Sequence, residues 1–496
     1  MTSLFTLRRT KRVSGAAYLA VSQTILVALG YVTHVLVGKI GGPPLYGVYG
    51  LVLSLMSIIN MLLSLGIPVA ASKEVAEDEA NSGGVFVSAL RLQLLFAVIL
   101  GVATFLLATP FAALLGDSRL HPLIRFAALI FPATAVYALF SNYFNGLHAF
   151  AAQARLTVLY AVVKLAGSVG FLFLFRSVTA ALSGFIAGGL AATAVGFLQA
   201  WPTIRGRIQR TIPPRRLFVF AGSFVGISIA LQILMSLDLF LVKRFLQDNT
   251  LVGYYNAATT VARIPYFILQ GLGFVFLPSV ARLFKEDLTR ARTFIRDVFR
   301  YLFLFLAPIT ALAATTSTAL LNLFFSAEYN PAARPLTLLS IAFGFLSAFY
   351  LLSTIAAGAG RPKIPLRIAW TLIVSAGALG TLLIPRAGLE GAAIATLAAA
   401  GAGAALLAIY MYRQFLLAFP LQTFVRGTIA VVIAVLPTYF VTPPAMFLPV
   451  WYALLFAVYA LTLIALGEVR REDWMHLKSL LPHGGRRGTT PTEIAH

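Results

Sequence analysis

Five ionisable residues lie inside long apolar stretches of this sequence, where charge is costly. They are Arg91, Arg125, Lys164, Arg263 and Asp238. A charged side chain in hydrocarbon usually faces a water-filled cavity or a partner of opposite charge. Four cations against one acid leave these stretches with a surplus of positive charge. The surplus predicts a binding site for an anion rather than for a cation.

Lys164 and Arg263 are the strongest candidates for that site. Lys164 lies well inside a predicted span at 156–175, and Arg263 lies near the middle of another at 252–277. From that depth neither side chain easily extends to a membrane surface. Arginine can hold a phosphate with a bidentate fork, whereas lysine supplies a point charge. A buried structural pairing is the alternative for both residues.

Four other residues complete the predicted substrate site, each with a simpler alternative. Arg91 and Arg125 lie nearer the ends of their spans and could extend to the interface. Gln23 and Gln232 nearly correspond in the two halves of the chain and could hydrogen-bond sugars. Amides in such positions more often join helices across a bundle.

Two titratable residues are interpreted separately. Asp238 precedes Lys243 by five residues near one end of a span, which favours a local ion pair, with an ion-coupling site as the alternative. His34, near the end of the first span, is interpreted as a packed or interface histidine rather than a proton relay. No spacing of histidines or acids indicates a metal ion or another cofactor.

The composition places the chain in a bilayer. Of 496 residues, 59% are hydrophobic and 11% are charged, and the mean hydropathy is +0.89. A membrane span needs about 20 mostly apolar residues. The pattern predicts an all-α polytopic protein with about fourteen spans, six before residue 202, six in 217–412 and a final pair in 413–467.

The distribution of lysine and arginine gives the predicted orientation. Of 38 basic residues, 27 fall on the N-terminus and alternate loops, and seven fall on the opposite side. Basic loops stay in the cytoplasm, so both termini are predicted to be cytoplasmic in an inner membrane. The net charge of +22 is therefore a topology signal and a surface for anionic lipid, not a nucleic-acid site.

The two groups of six spans repeat one plan. Four landmarks recur at offsets of about 210 residues, namely Gly47 and Gly253, Pro68 and Pro278, Glu77 and Glu286, and Arg176 and Arg386. Between the groups lies WPTIRGRIQRTIPPRR, with five arginines and three prolines. We predict an N-lobe at 1–201, a solvated cytoplasmic linker at 202–216, a pseudo-symmetric C-lobe at 217–412, a helix pair at 413–467 and a cytoplasmic tail at 468–496.

The loops indicate that the chain is not an enzyme. The longest predicted outward loop has only about a dozen residues, and no P-loop, dinucleotide fingerprint or nucleophile elbow is present. With no cysteine, disulfides and thiolate chemistry are excluded. A membrane enzyme such as a polyprenyl-glycan ligase is therefore a minor alternative.

The segments GIPVAASKEVAED and DLFLVKRFLQDNTLVGYYNAATTVARIPYFILQGLGFVFLPSVARLF show a family resemblance. They resemble the polysaccharide transporter branch of the multidrug, oligosaccharidyl-lipid and polysaccharide exporter superfamily, which includes Wzx-like flippases and stage V sporulation protein B-like proteins. The similarity runs from about residue 12 to 481 and includes the tail EDWMHLKSLLP. It implies two six-helix lobes around a central cavity that opens alternately to each leaflet.

The resemblance also implies a cargo, a polyprenyl-pyrophosphate carrying an oligosaccharide, flipped from the cytoplasmic to the outer leaflet. Lipid II is the more specific alternative, and an antiporter of cations or drugs is the alternative from another class. Expected partners are membrane lipids and, in the same pathway, glycosyltransferases or a polymerase. A monomer is expected. The sugar and the coupling ion do not follow from the resemblance.

Overall fold

The computed structural model describes residues 2–219, 222–270, 280, 282–284, 287–415, 420–441 and 443–469. Within these ranges the chain is helical and has no strand. The first half contains α1 Thr2–Leu65, α2 Ile67–Glu77, α3 Ser82–Leu115, α4 Leu120–Ala128, α5 Ile130–Gly146, α6 Phe150–Phe175 and α7 Val178–Gly206. After α8 Pro214–Val219 the second half contains α9 Gly222–Leu246, α10 Asn249–Ala262, α11 Leu288–Thr315, α12 Ser317–Phe324, α13 Ala333–Gly358 and α14 Lys363–Phe415. The chain then forms α15 Leu421–Val435 and α16 Leu448–Ala465.

Eleven helical regions among the described residues are long and apolar enough to cross a membrane. Two of them, Ala17–Glu77 and Lys363–Phe415, contain 61 and 53 residues. A 61-residue helix extends about 90 Å, three times the thickness of the hydrocarbon core. Each region is interrupted by a glycine with positive φ, Gly42 or Gly388, where the helix turns back. Fourteen spans remain a prediction, because 271–279, which would complete the eighth, lie outside the described ranges, as does the tail from 470.

Contacts between helices are concentrated within each half of the chain. In the first half α6 packs against α1 and α7, and α5 packs against α2 and α7. In the second half α14 packs against α9 and α13. The halves meet where α1 contacts α9 and α10, and the final pair α15 and α16 adjoins α11. The division of the chain into an N-lobe, a C-lobe and a final helix pair stays a prediction.

The connector between the halves differs from the solvated loop expected from its sequence. Helix α7 continues to Gly206 and includes Pro202, so residues 202–206 are helical. The rest is held against the first half, because Asn81 Oδ1 accepts from the amides of Gln209 and Arg210 at 3.0 and 2.9 Å. Exposed ion pairs from Arg207 and Arg210 to the α2–α3 turn add to this contact. The arginines thus serve local pairing as well as solvation.

Two of the repeat landmarks touch each other. Gly47 and Gly253 lie where α1 meets α10, at the end of the bundle that the charge asymmetry predicts to face outward, called the outer end below. A Cβ on Gly47 would lie 2.6 Å from the Gly253 amide nitrogen, and a Cβ on Gly253 would lie 1.9 Å from the carbonyl oxygen of Pro43. Only glycine permits this approach of two backbones.

A salt bridge joins the halves at the same end. Lys243 of α9 donates to Asp117, in the turn after α3, at 2.7 Å, and to Asn249 at 2.6 Å. Both charged side chains are buried, with 1% and 5% exposure. Burial would raise the pKa of Asp117, but hydrogen bonds from Lys243 and Arg119 outweigh it and lower the pKa below the ordinary value. Gln247 adds a bond from the second half to the carbonyl of Leu115.

Substituting Gly253→Ala should separate the halves at the outer end, because the new methyl group cannot fit against Pro43. The chain has no cysteine, so spin labels can be placed singly, for example at the exposed Leu174 and Glu328 of the two halves. Double electron–electron resonance should show a longer or broader distance distribution than in the parent protein. Gly170→Ala, which meets nothing within 4 Å, is the matched control. Identical distributions for both variants would contradict the assignment.

Substituting Asp117→Asn should weaken the outer contact more than Arg119→Ala does. The first leaves Lys243 buried without its carboxylate, which costs about 3 kcal/mol, whereas Arg119 is 80% exposed. Because the pKa of Asp117 is lowered, the salt bridge persists at neutral pH and is lost as pH falls through that lowered value. The same label pair, measured on titration to acid, should show opening in the parent protein and open distances at all pH values in Asp117→Asn.

Candidate functional site

A cavity of about 410 Å³ lies between the two halves. Side chains and backbone of α1, α6, α7, α9 and α10 line it. The polar and aromatic lining residues are Tyr31, Thr33, His34, Tyr49, Ser54, Ser57, Lys164, Phe185, Gln232, Asn256, Thr260, Arg263 and Phe267. The structure thus brings together the two deeply embedded cations that come from opposite halves of the sequence.

Lys164 presents an ammonium group with no hydrogen-bonding or ionic partner among the described residues. Its side chain is 8% exposed. The Nζ atom lies 5.6 Å from the ring centroid of Tyr160 and 5.3 Å from that of Phe185, distances at which the ring faces attract a cation. Gly30 of α1 faces the ammonium, because a Cβ at that glycine would lie 3.9 Å from Nζ. These contacts position the charge without neutralising it.

Arg263 follows the last residue of α10, and its guanidinium is partly hydrogen-bonded. Its Nη2 donates to the carbonyl of Met235, and its guanidinium carbon lies 5.5 Å from the centroid of the Phe343 ring. Its Nε is buried and has no partner in the described part of the chain. No carboxylate lies within ion-pair distance of it in these ranges. Donors of the guanidinium are therefore available to a ligand.

Among the described residues, the lining of this cavity carries two cations and no acidic residue. A buried cation without a counter-ion is unfavourable by several kcal/mol. Water in the cavity can offset part of this cost, and an anionic ligand can offset more. The arrangement therefore favours an anion at moderate depth in the bundle.

The remaining predicted substrate residues are dispersed. Gln232 lines the cavity and donates to Ser236 Oγ at 3.4 Å. Arg91 and Gln23 are exposed on the bundle surface and are not part of the cavity lining. Arg125 stacks its guanidinium 4.4 Å from the Phe105 ring centroid, also away from the lining.

Asp238 does not pair with Lys243, contrary to the local ion pair favoured by the sequence. Lys243 instead contacts Asp117 in the other half. Asp238 accepts from Tyr255 at 2.9 Å, from Thr396 at 3.2 Å and from the amide of Leu239 at 2.8 Å. A cavity of only about 10 Å³, room for one water or a small ion, adjoins it. The carboxylate is buried with neutral donors and lies outside the larger cavity.

The sequence alone did not single out Asn256 and Thr260, which line the cavity, or the fully buried Tyr46 behind them. Tyr46, Asn256 and Thr260 form hydrogen bonds that cross from α1 to α10 beside His34. Their residue types are common in spanning helices, and no spacing marks them. The proximity of Tyr46 and Asn256 to the repeat landmarks Gly47 and Gly253 is the one signal that could have indicated them.

These features define a multi-pass membrane protein whose two halves enclose a cationic cavity. A family model described as polysaccharide biosynthesis protein matches residues 13–286, more than half of the chain, and the chain belongs to that family. An uncharacterized membrane protein of Bacillus subtilis, YabM, is 25% identical over 81% of this chain and 80% of its own length. Another, MJ1068 of Methanocaldococcus jannaschii, is 29% identical over 37% of this chain, and the match spans 36% of that protein.

Two solved structures share the fold. Lipid II flippase MurJ in an inward closed conformation superposes with a TM-score of 0.73, 15% identity and coverage of 93% of this chain and 100% of that chain. An inward-facing multidrug resistance MATE family transporter of the MOP superfamily gives a TM-score of 0.65, 14% identity and coverage of 81% and 98%. These structures confirm the predicted all-helical fold class, and the family model confirms the predicted family.

Proposed function

We propose that this protein is a flippase that moves a polyprenyl-pyrophosphate-linked oligosaccharide from the cytoplasmic to the outer leaflet. The observation that carries the proposal is the pair of buried cations without counter-ions, Lys164 and Arg263, in a cavity between the halves. The cargo has an anionic pyrophosphate and a polar glycan that cannot cross about 30 Å of hydrocarbon unaided. A cationic, water-accessible cavity gives this headgroup an alternative environment.

A second cavity suits the apolar tail of such a cargo. It has a volume of about 330 Å³, is almost entirely apolar, and lies between α10 and its neighbours α11, α12, α13 and α16. Val261, Ala262 and Ile264 line it, and these residues flank Arg263 in the chain. The headgroup site and the apolar site therefore lie on two sides of one helical segment. Helix α16, the second helix of the final pair, supplies one wall of the tail site through Leu448, Tyr452 and Phe456.

The membrane potential gives the transport a direction. With a negative interior, moving one net negative charge outward is favourable by about 2.3 kcal/mol per 100 mV. The proposed orientation, with both termini in the cytoplasm and the protein in the cytoplasmic membrane, follows from the distribution of basic residues. We further propose that the protein acts as a monomer and receives its cargo from glycosyltransferases of the same pathway.

An antiporter of cationic drugs is the competing function. Its substrate would enter a cavity that already holds two uncompensated positive charges, which disfavours it by Coulomb repulsion. The embedded acid, Asp238, lies outside that cavity. The geometry therefore favours the anionic cargo.

Lys164→Ala and Arg263→Ala should each reduce transport about tenfold or more, because each removes a charge-assisted contact to the pyrophosphate. The measurement is the accumulation of labelled undecaprenyl-linked intermediates on the cytoplasmic leaflet of cells that depend on the variant. Arg91→Ala, which removes an arginine outside the cavity, is the control and should retain parent activity. Full activity of both cavity variants, or no lipid-linked glycan accumulating on depletion of the protein, would refute the proposed function.

Asp238 is proposed as the coupling-ion site, because a small cation or a proton would neutralise this buried carboxylate. Asp238→Asn should abolish the dependence of transport on a sodium or proton gradient while leaving binding of the anionic cargo intact. Proteoliposomes with and without each imposed gradient measure the first effect, and equilibrium binding measures the second. Unchanged gradient dependence in the variant would exclude Asp238 from coupling.

A further inference from the structure

A chain of hydrogen bonds crosses the cavity wall from one half of the protein to the other. His34 Nδ1 lies 3.1 Å from the Tyr46 hydroxyl, which lies 2.9 Å from Thr260 Oγ1. The Thr260 hydroxyl in turn lies 2.8 Å from the carbonyl oxygen of Asn256. Tyr46 and Asn256 are also joined directly, since the Asn256 amide donates to the Tyr46 carbonyl.

The end of this chain determines the direction of every bond in it. A carbonyl oxygen can only accept, so Thr260 donates its one proton to Asn256. The Thr260 oxygen then accepts from Tyr46, and the Tyr46 oxygen accepts from Nδ1–H of His34. Two cations share the cavity with His34, which disfavours a third positive charge on the ring. A neutral imidazole with its proton on Nδ1 has a lone pair on Nε2.

That lone pair has no partner among the described residues, although His34 lines the cavity. Two neighbouring hydroxyl groups also lack a hydrogen-bond partner among the described residues. Tyr31 and Tyr49 also line the cavity, and their hydroxyls are buried without a hydrogen-bond partner in the described ranges. The Tyr49 ring packs edge-on against His34 at 5.8 Å. An unsatisfied buried polar group costs about 1–3 kcal/mol of free energy. A ligand rich in hydroxyls would offset this cost by forming hydrogen bonds with these three groups.

We propose that His34 is a sugar-recognition residue whose neutral Nε2 accepts a hydrogen bond from a hydroxyl of the glycan. The inference rests on the proposed function. It divides the cavity into an anion-binding part, Lys164 and Arg263, and a hydroxyl-binding part formed by His34 with Tyr31 and Tyr49. Tyr46 and Thr260 are positioning residues, because they hold the imidazole in the tautomer that leaves Nε2 free.

Two amide substitutions separate this role from a purely structural one. His34→Asn places an amide donor near the position of Nδ1 and nothing at Nε2, so it preserves the bond to Tyr46. His34→Gln places an amide near the position of Nε2 and loses the bond to Tyr46. A structural role is therefore rescued by asparagine, whereas a ligand role is rescued by glutamine.

Binding to the purified full-length protein in lipid nanodiscs tests this directly. The probes are farnesyl pyrophosphate, which has no sugar, and farnesyl-pyrophosphate-linked N-acetylglucosamine. His34→Asn should weaken binding of the sugar-bearing probe about tenfold and leave the sugar-free probe unchanged, whereas His34→Gln should bind both probes within about threefold of the parent. Two results would overturn the role of His34. In one, His34→Asn binds the sugar-bearing probe like the parent and His34→Gln does not. In the other, a variant loses affinity equally for both probes.

The two proposals fail in different ways. If farnesyl pyrophosphate does not bind the parent protein, or binds Lys164→Ala equally well, the proposed function is wrong. If its binding depends on Lys164 while the sugar-bearing probe is indifferent to His34, only the present inference is wrong. Nitrogen-15 NMR of histidine-labelled parent protein, with His34→Gln used to assign the signal, supplies a test without ligand. An Nδ1–H tautomer supports the inference, and an Nε2–H tautomer contradicts it.

Discussion

Uncompensated positive charge inside an apolar bundle is the constraint on which the rest of this structure depends. The protein does pair other buried charges. Lys243 contacts Asp117, and Arg300 contacts Glu468, and all four side chains are at most 5% exposed. Lys164 and Arg263 differ, because in the described part of the chain they contact aromatic rings and one backbone carbonyl and form no ion pair. This difference is the physical basis for proposing that the cavity receives a negative group.

The contact between the halves has the chemistry of a reversible closure. At the outer end it includes a glycine-mediated backbone approach and polar bonds, among them one from Tyr329 to the carbonyl of Gly38 at 2.9 Å. Buried apolar residues of both halves also form one continuous cluster, and at this end the Tyr46 ring packs against Phe325 and Tyr329. The polar bonds of this interface can be exchanged for bonds to water at little net cost in free energy. The same interface carries the hydrogen bond between Tyr46 and Thr260 beside the cavity, and Tyr46 also contacts His34.

The final helix pair is attached to the second half by a buried acid. Glu468 accepts from Arg300 of α11 at 2.8 Å and from Thr423 of α15 at 2.7 Å, and it forms an ion pair with Arg426. Burial alone would raise the pKa of Glu468, but these partners outweigh it and lower the pKa. The carboxylate is therefore charged at neutral pH and holds three segments together. This attachment places α16 beside α11, where it completes the wall of the apolar cavity.

The sequence by itself determined the environment of the chain, the helical class and the depth of the two central cations. Hydropathy and basic-residue bias are sums over local residues. A lysine or arginine in the middle of a span must face a water-filled cavity or a partner of opposite charge. The tertiary structure decided which side chains form ion pairs and which line the cavity. Lys243 pairs with a residue 126 positions away rather than with Asp238, because residues five apart on a helix point to different faces. Likewise Arg91 lies outside the cavity and Tyr49 lies on its wall. Helix rotation and packing, which no local pattern encodes, assign each side chain to lipid, core or cavity.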